Sequence, residues 1–125
     1  MLRLAVLSAG GVLGTILRYE LSSLTYRLTG NGFPYGTLLV NSVGCLLIGF
    51  LGTFMEEKVF FSPAIRSFLF IGFLGAFTTY STFSYETWKL VKGGETLFAL
   101  TNLIGHITIG FTLLIAGVSL ARWIA

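Results

Sequence analysis

Gly72-Phe73-Leu74-Gly75-Ala76-Phe77-Thr78-Thr79-Tyr80-Ser81-Thr82-Phe83-Ser84 lies inside a stretch, residues 67 to 85, that carries no charge. Five of the seven positions from 78 to 84 are Ser or Thr. One or two hydroxyls in an apolar helix bond back to a carbonyl one turn earlier, which accounts for them fully. Five, directly downstream of Gly75, exceed what back-bonding absorbs, and they predict a broken helix. Interrupted backbone at bilayer depth is tolerated only where it is buried in protein or lines a wet cavity. There it offers free carbonyls to a cation and free amides to an anion. After the break, Tyr80 and Phe83 are three apart and share one helical face. Aromatics at that spacing are more often core packing than a binding site. Beside Ser81 and Thr82, however, their positive ring edges can attract an anion in a narrow passage where a lysine would trap it.

The rest of the chain divides in the same way. Of 125 residues, 54% are hydrophobic and 10% charged, and the charges leave residues 4 to 17, 28 to 55, 67 to 85 and 96 to 121 uncharged. A helix crossing the hydrocarbon needs about 20 residues. Three stretches reach that length, and the first is completed by running on through Arg18 and Glu20 toward Arg27. The expectation is an all-α integral membrane protein, one four-helix domain over residues 1–125, with spans near 4–28, 36–55, 65–90 and 96–121. Connectors with breakers and charges separate them: residues 29–34, 56–63 and 92–95. A signal peptide competes for the first span, but its removal would discard a segment rich in packing glycines, so a retained helix is favoured.

The same composition excludes other classes. A soluble domain of this size could not hide so much apolar surface, and a disordered chain would be polar. The pI near 9.3 comes from basic residues spread singly at the ends of apolar runs, where they act as interfacial anchors, so no nucleic-acid surface is expected. A single cysteine, Cys45, permits no intramolecular disulfide and no cysteine cage. No spacing places a nucleophile, base and orienter together, and no loop is built to cradle phosphate, so an enzyme is not expected.

Orientation is nearly unbiased. Four spans put Arg3, Lys58, Arg66 and Arg122 on one side against Arg27, Lys89 and Lys92 on the other. Either this is small-sample noise, or the chain inserts both ways and pairs as an antiparallel homodimer. The 16 glycines favour close helix packing, with Gly10 and Gly14 spaced as GxxxG and Arg18 one step further along that face. Packing within one subunit and packing between two account for them equally well.

Several polar groups sit at membrane depth. Asn41, with Thr37 one turn earlier, either bonds a neighbouring helix or donates its NH2 to a passing anion. Arg18 costs roughly 2.5–3.5 kcal/mol within a span unless it reaches water, by snorkelling or at a vestibule. Asn102 and His106 share a face, and a lone histidine there is more often a helix linker than a proton carrier. The main competing function is a small dual-topology proton-coupled multidrug exporter, which needs a central membrane carboxylate. Glu20 and Glu86 both lie toward the ends of their spans. A scaffold subunit is a further alternative, but it would not need the hydroxyl cluster.

Gly10-Gly11 through Gly14 to Arg18-Tyr19, Gly36-Thr37-Leu38 to Asn41, and Gly75 through Glu86 resemble the CrcB/Fluc fluoride channels over all four spans. The resemblance implies an antiparallel dual-topology homodimer in the bacterial plasma (inner) membrane, passively exporting fluoride through two pores. It implies backbone carbonyls of Gly75 and Thr78 from both subunits on a central structural Na+, with no organic cofactor. Asn41, Tyr80, Ser81, Thr82 and Phe83 would line the fluoride path, His106 would continue its polar track, and Arg18 would face a vestibule. The family pattern has Phe where this chain has Tyr80, whose hydroxyl adds a donor beside the surviving ring edge.

Overall fold

A computed structural model describes residues 2–58 and 61–124. Within them the secondary structure is helical: α1 Leu2–Thr29, α2 Tyr35–Glu57, α3 Pro63–Arg66, a π-helical segment Ser67–Leu74, α4 Gly75–Phe77, α5 Tyr80–Lys92 and α6 Thr96–Ile124. Four rods, Leu2–Thr29, Tyr35–Glu57, Pro63–Lys92 and Thr96–Ile124, are long and apolar enough to cross a membrane. Each runs a little past its expected span, and α1 continues through Arg18 and Glu20. Residues 59 and 60 of the second connector, and the two ends of the 1–125 range, lie outside the described residues.

The rods stop where the local chemistry ends them. Gly30 follows α1 at φ +79° with its N–H on Tyr26 O (2.9 Å), and Gly94 follows α5 at φ +81°. Only glycine enters this left-handed region without a Cβ penalty. Pro63 opens α3, where its missing N–H costs nothing, and Ser62 Oγ accepts from Ile65 N. Arg66 Nη2 donates to Met55 O at 2.8 Å, placing a cation on the last turn of α2.

Glycine decides how the rods pack, because lipid tails are as apolar as leucine and close backbone approach must supply the attraction. A Cβ at Gly10 would lie 2.6 Å from Phe68 O, and one at Gly14 would collide with Phe73 O. Gly72 returns the contact, its own Cβ position lying 2.8 Å from Leu7 O. The GxxxG pair of α1 therefore serves packing within the subunit, against the π segment. On the opposite side, α2 meets α6 with Gly49 on the Leu114 carbonyl and Gly117 on the Leu46 carbonyl. Val40, Met55, Ala99, Asn102 and Ala121 fill the interior, while large apolar residues such as Ile16, Leu28, Ile71, Leu97 and Trp123 point outward. An apolar exterior around a thin core is what a bilayer solvent requires.

Candidate functional site at the broken third span

The expected interruption is present, and it falls within the hydroxyl cluster. After α4 ends at Phe77, Thr78 (φ −86°, ψ 157°) and Thr79 (φ −150°, ψ 113°) are extended, and α5 starts afresh at Tyr80. Thr78 closes the upstream end: its N–H and its hydroxyl both donate to Leu74 O, at 3.0 and 2.9 Å. Thr79 opens the downstream end as the N-cap. Its Oγ1 accepts from Thr82 N (3.3 Å), donates to Thr82 Oγ1 (2.9 Å) and lies 3.5 Å from Ser81 Oγ. Ser and Thr are chosen here because their side chains replace the backbone partners that the break removes.

Asn41 of α2 holds the break from the side. Its Oδ1 accepts from Thr79 N at 2.8 Å, and its Nδ2 donates to Thr79 O at 3.1 Å. One carboxamide thus satisfies both backbone groups of one residue, and the second N–H of that amide remains available. Gly44, one turn further along α2, provides the room, since a Cβ there would collide with the Thr78 methyl.

These bonds have a consequence for the carbonyls. In an unbroken helix Thr79 N would serve Gly75 O, and Thr82 N would serve Thr78 O. Thr79 N goes to Asn41 and Thr82 N goes to the Thr79 hydroxyl. The break leaves the carbonyls from Gly75 to Thr78 without their helical donors; those of Gly75 and Thr78 lose them to Asn41 and to the Thr79 hydroxyl, and Gly75 is exposed. Carbonyl oxygens released in this way suit a hard monovalent cation. No cluster of three or more His, Cys, Asp or Glu that could hold a metal occurs among the described residues.

An open groove of about 610 Å³ runs along the break between α2, α5 and α6, lined by Asn41, Gly44, Cys45, Gly75, Thr78, Thr79, Tyr80, Phe83, His106 and apolar neighbours. It brings together six of the expected site residues: Asn41, Gly75, Thr78, Tyr80, Phe83 and His106. Ser81 and Thr82 are exposed next to it at the start of α5, and Arg18 is half-buried on α1 away from the lining. The rings form a ladder across the groove, with Tyr80 to Phe83 at 5.8 Å and Phe83 to His106 at 4.1 Å between centroids. Phe83 is anchored from behind: Asn102 Nδ2 donates to Thr87 Oγ1 (2.8 Å), which donates to Phe83 O (2.8 Å). Tyr80 is 80% exposed although it sits at mid-span.

Among the described residues that line the groove none is Asp or Glu. Glu86 lies beyond it, accepting from the Tyr26 hydroxyl at 3.2 Å, and Glu20 is exposed on α1. The groove therefore lacks the carboxylate that proton-coupled drug exchange requires. Sequence reasoning did not find the Asn41–Thr79 pairing, Gly44 or Cys45 in the lining, or the π turns upstream. The spacing of Asn41 and Gly44 on one face of α2 was the available signal for the first two.

Residues 5–118 match the family described as CrcB-like protein, Camphor Resistance (CrcB). A protein of Desulforapulum autotrophicum named fluoride-specific ion channel FluC is 41% identical over 118 residues, 94% of this chain and 94% of that one. One of the same name from Geotalea daltonii is 43% identical over 114 residues, covering 91% and 92%. A third, from Dehalococcoides mccartyi, is 42% identical over 112 residues, covering 90% and 86%. With four helices able to span a bilayer and a family match over nearly its whole length, the chain is a multi-pass membrane protein that belongs to the CrcB family.

Proposed function

We propose that this chain is a fluoride-selective channel, not an enzyme, and that it exports fluoride passively across a bacterial plasma (inner) membrane. The observation that supports this is the stapled break: the unused Asn41 N–H and the rings of Tyr80 and Phe83 share one groove, with the Ser81 and Thr82 hydroxyls exposed beside it. Fluoride is small and strongly hydrated, so a selective path must replace its water with several donors together. The second Asn41 N–H, the hydroxyls of Ser81 and Thr82, and the edges of Tyr80 and Phe83 are available for this. Hydrogen bonds to a charged partner are worth roughly 1.5–3 kcal/mol each, enough in series to hold the ion and weak enough singly to release it.

The working unit we propose is an antiparallel, dual-topology homodimer with two pores. Its support is that the groove is open on one side, with Tyr80, Ser81 and Thr82 exposed at a depth where hydroxyls need cover. The nearly even distribution of basic residues permits insertion both ways. Gly75 O and Thr78 O of two copies would together hold a structural Na+. Such an ion supplies a fixed positive charge that offsets the cost of an anion at low dielectric. Arg18 would stand in a water-filled approach to the groove, where its charge concentrates anions.

The function is tested by growth. A bacterial strain stripped of its own fluoride exporters should regain growth in fluoride medium when it expresses this chain. The Phe83→Ile variant, which lacks the ring edge, should reach the membrane at the same level yet fail to rescue. Absence of rescue by a well-expressed wild-type chain would reject the function. Rescue by Phe83→Ile equal to wild type would remove that ring from the path.

A further inference from the structure

His106 stands on α6 in the wall of the groove, its ring 4.1 Å from that of Phe83. Its Nδ1 lies 2.9 Å from Asn102 O, an atom that only accepts, so Nδ1 carries a hydrogen. Nε2 is buried with no hydrogen-bond partner. The neutral ring therefore satisfies Asn102 O and leaves the Nε2 lone pair without a donor. The imidazolium, which donates from both nitrogens, keeps that bond and gains a donor for an anion.

A charge held away from water is costly unless an opposite charge accompanies it. A fluoride ion in the groove reverses the balance, because attraction between unlike charges is strong where water is excluded. Among the described residues, His106 is the one basic side chain in the lining, which holds no Lys or Arg. The titratable groups that share the lining are Tyr80 of α5 and Cys45 of α2; Glu86, three residues beyond Phe83 on α5, accepts from Tyr26 of α1. On the fluoride-channel reading above, we propose that His106 protonates as fluoride occupies the groove, so that fluoride and proton binding favour each other and flux rises as pH falls. Linkage makes the coupling reciprocal.

The chain contains a single histidine, so imidazole nitrogen NMR reports on His106 alone. In bilayer-embedded wild-type protein, the imidazole titration midpoint should be higher in sodium fluoride than in sodium chloride of equal ionic strength. A tenfold preference of fluoride for the protonated form displaces it by about one pH unit. Coincident midpoints would overturn the proposal, and this holds even if no variant folds. In liposomes between about pH 5.5 and 8, where histidine titrates, fluoride efflux corrected for protein-free vesicles should climb toward low pH. In His106→Ser, and in His106→Gln as a second variant, the rate should be independent of pH. A wild-type rate that is flat, or a slope retained in both variants, would also overturn it. Wild-type vesicles that release no fluoride at any pH would instead reject the channel function, an outcome the flux arm separates from a flat profile.

Discussion

Replacing Asn41 with Leu should abolish fluoride flux and destabilise the protein by about 1–3 kcal/mol, since the part-buried Thr79 N–H loses its partner. That N–H meets the carboxamide oxygen at 2.8 Å, while the Thr79 C=O, 3.1 Å from Asn41 Nδ2, also accepts the first bond of α5 and keeps it. Asn41→Asp separates structure from conduction. The carboxylate keeps an acceptor for Thr79 N, but it turns a second oxygen toward Thr79 O and puts a fixed negative charge in the groove. It should retain more of the fold than Asn41→Leu and still pass no fluoride. Thermal unfolding in detergent and fluoride-electrode efflux, measured on both variants, check the pair. Normal flux in Asn41→Asp would show that the anion travels elsewhere.

Gly14→Leu should prevent the protein from folding at all. The added side chain meets Phe73 O in a collision and Phe77 N at 3.0 Å, and these are backbone atoms that cannot rotate away. Overpacking at a site relieved by side-chain movement costs about 1–3 kcal/mol, and a backbone obstacle belongs at or above the top of that range. α1 would have to leave the π segment and α4, carrying the upstream half of the break with it. Gly32→Ala is the control: nothing lies within 4 Å of its Cβ position, so its stability should remain within about 0.5 kcal/mol of wild type. Monodispersity on size exclusion and melting temperature distinguish the two. A well-folded, fully active Gly14→Leu would contradict the α1 packing described above.

The sequence reveals the features that follow from composition and period. Charges at Arg3, Arg27, Glu56, Lys92 and Arg122 bracket four apolar rods, and the hydroxyls from Thr78 to Ser84 locate the break to within a residue or two. It does not reveal features that depend on two distant segments meeting. Asn41 and Thr79 are 38 residues apart, and nothing local in either states that one amide will close both backbone groups of the other. The π turns of Ser67–Leu74 are equally silent, because Phe, Leu and Ile suit an α or a π turn alike. The wider turns coincide with the close approach of α1, where Gly10 and Gly14 let the two backbones touch. The role proposed for His106 is hidden for a similar reason: its Nδ1 partner is one turn away on its own helix, but Phe83, against which its ring packs, arrives from α5.

We propose that fluoride crosses the stapled break chiefly through neutral donors. The most direct measurement loads liposomes containing the purified chain with equal fluoride and chloride, adds a potassium ionophore to balance charge, and follows both halides outside. Rapid fluoride release with chloride retained is the expected result. No release above protein-free vesicles, or chloride leaving as fast as fluoride, would contradict it.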